Sequence, residues 1–154
     1  MTAFPGWVLD TTIVEHFLRG DAHAQAAVQA VIDHGERLLL PITALDHALG
    51  VDRDDPIDLD DIRVQQRVRV LRMVTDHDHP DFRQVLENRL VVDRAKLPDE
   101  LRHDRDLRAT AHVVAAAQRT GWPVITTAAG HLLALADLDL KIVRRPGNGP
   151  LRRW

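Results

Sequence analysis

The sequence predicts an α/β fold: three layers, α/β/α, around a central parallel sheet of about four or five strands. Three observations carry that expectation. Short apolar runs, Trp7-Val8-Leu9, Leu38-Leu39-Leu40, Val124-Ile125-Thr126 and Lys141-Ile142-Val143, have the length of strands buried on both faces. Longer segments with apolar residues at helical spacing separate them. At 154 residues, 45% of them hydrophobic, the chain can bury a core as a single domain. It has no cysteine, which excludes a disulfide scaffold, a thiolate nucleophile and a cysteine-ligated zinc site.

The first strand ends in Asp10, followed by Thr11 and Thr12, so a carboxylate stands at the carboxyl end of a strand, the edge where open α/β sheets place their sites. Thr12 precedes Glu15 by three residues, the spacing of a capping box. Ile13 to Leu18 forms the helix that follows and Gly20 ends it. Asp21 caps a second helix, in which Ala24, Ala27, Val28, Val31 and Ile32 recur until Gly35. After the Leu38-Leu39-Leu40 strand, Pro41 suits the first turn of a helix that carries Asp46. Gly50 to Asp61 reads as an acid-rich loop. Ile62 to Val74 is a helix with Val64, Val68 and Leu71 on one face and Arg63, Arg67, Arg69 and Arg72 around the rest. A solvated face accounts for those arginines better than an RNA-binding stripe.

Asp76-His77-Asp78-His79-Pro80 offers metal-ligand residue types, yet it adjoins a proline and has no evident scaffold, so it reads as a mobile polar loop. Phe82 to Leu90 follows as a helix and Leu90-Val91-Val92 as a short strand. Asp106 to Thr120 is a clear helix stopped by Gly121, and Leu132 to Leu138 a short one.

The net charge of -3 argues against a surface that coats nucleic acid, while leaving room for a local basic patch. Lys96 and Lys141 are the only lysines, so every other basic residue is arginine, a bias that composition explains before phosphate binding does. No apolar run approaches the roughly 20 residues of a membrane span, and Met1 to Gly6 has no basic segment leading into a long apolar one. The chain is therefore expected to be soluble, unexported and cytoplasmic. Residues 1–145 read as one domain and 146–154 as a basic C-terminal tail. Arg144, Arg145, Arg152, Arg153 and Trp154 have the chemistry to contact RNA, and a solvated tail is the plainer reading.

Three pieces follow one another in a telling order: Val8-Leu9-Asp10-Thr11-Thr12; Leu38-Leu39-Leu40-Pro41 running to Asp46; and Ala111-His112-Val113-Val114-Ala115-Ala116-Ala117 leading through Gly121-Trp122-Pro123-Val124-Ile125-Thr126. Together they resemble the PIN-domain family, particularly the small single-domain ribonucleases of VapC-type toxins. The likeness spans nearly the whole chain outside residues 51–105. It implies a cluster of acids at the carboxyl edge of the sheet that holds Mg²⁺ or Mn²⁺ and activates water to cut an RNA phosphodiester. Hard cations take oxygen ligands, and close carboxylates offset the cation's charge and their own repulsion.

Asp10 matches the family's first acid. Asp46, five residues after Pro41, stands where the family has glutamate and is shorter by one methylene. Thr110 occupies the third acid's place and Ala128 the fourth's, so two of the four family acids are absent. Asp106, four residues before Thr110, lies on the same helix face one turn earlier. It either replaces a lost ligand or favours the positive end of its helix. His112 and His131 read as non-ligands, imidazole being a poor partner for Mg²⁺.

The resemblance with its missing acids implies a PIN-like protein with a degenerate metal site. Such a protein has no cofactor or only weakly bound Mg²⁺ or Mn²⁺, has no nuclease activity, and acts as a regulatory module that binds RNA or protein. Its expected partners are RNA, an antitoxin-like protein, or a second copy in a homodimer. The alternative is a metal-dependent endoribonuclease with Asp10, Asp46 and Asp106 as ligands and with Thr12 and Thr110 orienting water or a carboxylate. A fold-only relative that binds a small phosphate ligand at the same edge is a third class.

Overall fold

The computed structural model describes residues 6–50, 56–81, 83, 104–126 and 142–144, with 104–107 and 142–144 described as backbone. In chain order the elements are β1 (Gly6–Leu9), α1 (Thr11–Leu18), α2 (Ala22–Asp33), β2 (Arg37–Pro41), α3 (Ile42–Ala48), α4 (Ile62–Val74), β3 (Asp76–Asp78), α5 (Asp104–Thr120), β4 (Val124–Thr126) and β5 (Ile142–Arg144). The strands form one parallel sheet in the order β3-β2-β1-β4-β5. Helices cover both faces, giving the three-layer α/β/α arrangement that the alternating pattern predicts.

β1, β2 and β4 are buried on both sides because their alternate side chains enter different layers. Trp7, Leu9, Leu38, Leu40 and Ile125 join Phe17, Leu18, Val28, Ala44, Val64 and Leu71 in one core cluster. Val8, Leu39 and Val124 lie outside that cluster and are also buried. The connections from β1 to β2 and from β2 to β3 carry α1, α2 and α4, whose buried residues share a cluster with one face of the sheet, as the right-handed rule for parallel crossovers leads one to expect. The return from β3 to β4 then puts α5 on the other. No residue of α5 belongs to the larger cluster. Truncating a buried leucine such as Leu40 or Leu71 to alanine costs about 2–5 kcal/mol.

Local chemistry sets the element ends. Asp21 caps α2 by accepting from the backbone amides of His23 at 2.8 Å and Ala24 at 3.3 Å. Asp61 caps α4 through the amide of Arg63 at 2.9 Å. Gly20 ends α1 with a φ of 85°, and a Cβ there would lie 2.7 Å from the Arg67 guanidinium. Both the left-handed backbone and the close approach demand glycine. At the start of β1, a Cβ on Gly6 would overlap the Trp122 ring, so the small residue admits the indole.

Two local expectations are corrected. The helix after β1 begins at Thr11 with Asp10 at its N-cap, two residues earlier than a Thr12 cap would place it, so Thr12 and Glu15 form no capping box. The Asp76-His77-Asp78 stretch is a paired edge strand, with Leu39 opposite Asp76 and Pro41 opposite Asp78. The elements expected within 82–92 and at 132–138, and the tail at 146–154, lie outside the described residues. Among the described residues no helix is long and apolar enough to cross a membrane.

Candidate functional site

From β1 the chain passes to β2 on one side, and β4 later takes the other side. The carboxyl ends of β1 and β4 therefore flank a topological switch point, where such sheets form their crevice. Leu9 pairs with Ile125, and the Asp10 amide donates to the Ile125 carbonyl at 3.1 Å, which brings Asp10 and Thr126 side by side at that edge.

Asp10 is completely buried. Although it occupies the N-cap of α1, its side chain makes no capping bond; it is taken up by hydroxyls instead. Thr12 Oγ1 donates to Asp10 Oδ2 at 2.8 Å and Thr126 Oγ1 donates to the same oxygen at 2.7 Å. Thr11 Oγ1 donates to Oδ1 at 3.3 Å. The Thr12 and Thr126 hydroxyls are themselves 3.0 Å apart. Each carries one hydrogen, so at any instant two of the three contacts around Oδ2 are hydrogen bonds. The cluster is compact because its three oxygens come from the end of β1, the first turn of α1 and the end of β4.

The remaining predicted positions fall differently. Asp46 is exposed on α3, while His47 beside it is buried. The buried position on that turn thus belongs to the histidine. Thr110 is buried on α5. Asp106 lies in the first turn of α5, and its side chain is outside the described part, as are Ala128 and His131. Among the described residues, no group of three or more histidine, aspartate or glutamate side chains is placed to hold a metal ion.

A second buried polar cluster was not legible in the sequence. His112 on α5, 1% exposed, holds Asp78 of β3 through Nε2 at 2.7 Å and meets Thr43 of α3 through Nδ1 at 2.6 Å. Arg119, two turns further along α5, donates to the other carboxylate oxygen of Asp78. Burial holds the His112 imidazole below its ordinary pKa. The Asp78 carboxylate partly opposes that shift, and the positive charges of Arg119 and His79 add to it. A neutral ring that donates from Nε2 to the carboxylate must accept at Nδ1, so Thr43 donates its hydroxyl hydrogen there. The only trace in the sequence is a histidine amid the alanines and valines of a buried helix.

A groove of about 450 Å³ runs between α1, α2 and α4, with Phe17, Val28, Ile32, Val70 and Val74 as its apolar wall and Arg67 among its polar lining. Compared with models of known protein families the chain matches none, and compared with curated proteins it likewise has no match.

Proposed function

We propose that this chain is a PIN-like protein without metal-dependent nuclease activity, acting as a binding module whose partner is a protein. The Asp10 carboxylate carries this reading: it is fully buried, and one of its oxygens receives two threonine hydroxyls. Those two hydroxyls take acceptor sites that a cation at the same oxygen would need.

The donor set argues against a tightly held Mg²⁺ or Mn²⁺ on charge, not on spacing. Oxygens 2.7–3.0 Å apart would suit the octahedral shell of a small cation, whose ligand edges are about 2.9 Å. Yet the three supply one formal negative charge, and the two hydroxyl hydrogens already engage the carboxylate's lone pairs. Asp46 is exposed on α3, and Thr110 brings no charge. Such a site has little to offset a divalent charge or the cost of stripping its water.

The groove between α1, α2 and α4 supports a protein partner. On the same helix α4 as Val70 and Val74 of the groove wall, Ile62 is 66% and Met73 76% exposed. An amphipathic segment of an antitoxin-like protein, or the α4 face of a second copy, fits this chemistry. RNA has less support: the net charge is -3, Arg63 is tied to Asp61 at 3.0 Å, and Arg67 donates to the Leu18 carbonyl at 3.2 Å.

Calorimetry with Mg²⁺ and Mn²⁺ on the parent chain, Asp10→Asn and Asp106→Asn tests the reading. The expected result is no detectable binding at millimolar metal. Micromolar binding lost in both variants would overturn it and put Asp106 beside Asp10 in a nuclease site.

A further inference from the structure

β3 is an edge strand with no apolar side chain, consisting of Asp76, His77 and Asp78. Strands are ordinarily held by hydrophobes entering the core; this one relies on its pairing with β2 and on polar anchors. Two anchors are exposed. Arg37 meets Asp76 at 2.7 Å with side chains 59% and 48% exposed, and His77 Nε2 donates to the Arg72 carbonyl at 2.9 Å. Exposed ion pairs hold a strand only weakly, because solvent screens them. The third anchor is the buried one: Asp78, held from α5 by His112 and Arg119. The docking of β3 thus runs through a carboxylate whose buried partner is a residue type that titrates near neutrality.

We propose that the Thr43–His112–Asp78 chain is an acid-operated latch: uptake of a solvent proton at Nδ1 of His112 reverses the Thr43 hydrogen bond and releases β3 from α5. The only bond formed is N–H, and the proton remains on the imidazole. Thr43, which donates to Nδ1 in the neutral state, must turn its hydrogen away and accept. The buried pocket then holds a second cation beside Arg119.

Burial, more than the neighbouring charges, sets the direction. Asp78 favours the added proton, but it already shares its charge with Arg119; Arg119 on α5 and His79 just past β3 both oppose it, and burial opposes it most. On α3, His47 is buried one turn beyond Thr43. Of the other elements packed against α5, β1 leads to Asp10, which is engaged with threonines, and β2 carries Arg37, paired with Asp76. On α1, Glu15 pairs with Arg19 and His16 with Asp21. Opening is therefore the route by which a protonated His112 regains water.

Hydrogen exchange on the full chain, compared at about pH 7.5 and about pH 5.5 after correction for intrinsic rates, reads the latch. In the parent, protection of the Asp76–Asp78 amides should fall by up to about tenfold per pH unit below about 6.5. His112→Gln, whose amide can still donate to Asp78 and accept from Thr43 without titrating, should abolish that dependence. Unchanged protection in the parent, or the same acid loss in His112→Gln, overturns the proposal. If His112→Gln fails to fold, ring-nitrogen NMR on the parent decides: the midpoint of His112 protonation must coincide with that of the lost protection, and opening while the ring stays neutral refutes the latch.

Discussion

Replacing Thr126 with valine removes one hydroxyl from the Asp10 cluster and keeps the side-chain shape. Both residues are fully buried, and Thr126 Oγ1 lies 2.7 Å from Asp10 Oδ2. The variant therefore deprives a carboxylate of a charge-assisted donor where water cannot take its place. A hydrogen bond to a charged group contributes about 1.5–3 kcal/mol, and the near-isosteric swap adds little cavity cost, so a loss of about 2 kcal/mol is expected. With a urea slope of about 2 kcal/mol/M, the denaturation midpoint should fall by about 1 M. The melting temperature should fall by about 4–8 °C. The Asp10→Asn background isolates the pair, with a coupling energy of at least about 1 kcal/mol. A Thr126→Val loss under about 0.5 kcal/mol with no coupling would refute the reasoning, because the carboxylate would then not depend on its hydroxyls.

Other predictions come from separate parts of the molecule. His112 binds its proton less readily folded than unfolded, so below about pH 6.5 the unfolded chain takes up more protons and stability falls with falling pH. The slope is at most about 1.4 kcal/mol per pH unit until the folded group titrates in turn. Urea melts from about pH 8 to about pH 5 check this, and His112→Gln should lessen the acid loss. Gly20→Ala forces a Cβ onto the Arg67 guanidinium at a φ of 85° and should destabilise by about 1–2 kcal/mol, measured by thermal melting. Val70→Glu changes a half-exposed residue on the groove and should leave stability within about 0.5 kcal/mol. If α4 forms the homodimer face, the same change should convert a dimer to monomer in light scattering.

The fold was legible because its strands are short apolar runs and its helices have regular apolar spacing. Caps that act within three residues, such as Asp21 and Asp61, set boundaries from local chemistry alone. The Asp76-His77-Asp78 strand was not legible, since it has no hydrophobe, and its pairing and its Asp78 anchor depend on β2 and α5, distant in sequence. Asp10 was placed at the correct edge of the sheet. Its burial and its bonds to Thr12 and Thr126 could not be read in advance, because Thr126 is 116 residues away and comes beside it only through β1–β4 pairing. On α3, counting from Pro41 finds the exposed Asp46 and gives no sign that the neighbouring His47 is buried.

The central claim, a PIN-like module without nuclease activity, is tested most directly by incubating the purified chain with single-stranded RNA and millimolar Mn²⁺ beside Asp10→Ala. The account predicts that the parent cleaves no more than the variant. Metal-dependent cleavage by the parent that disappears in Asp10→Ala would contradict it.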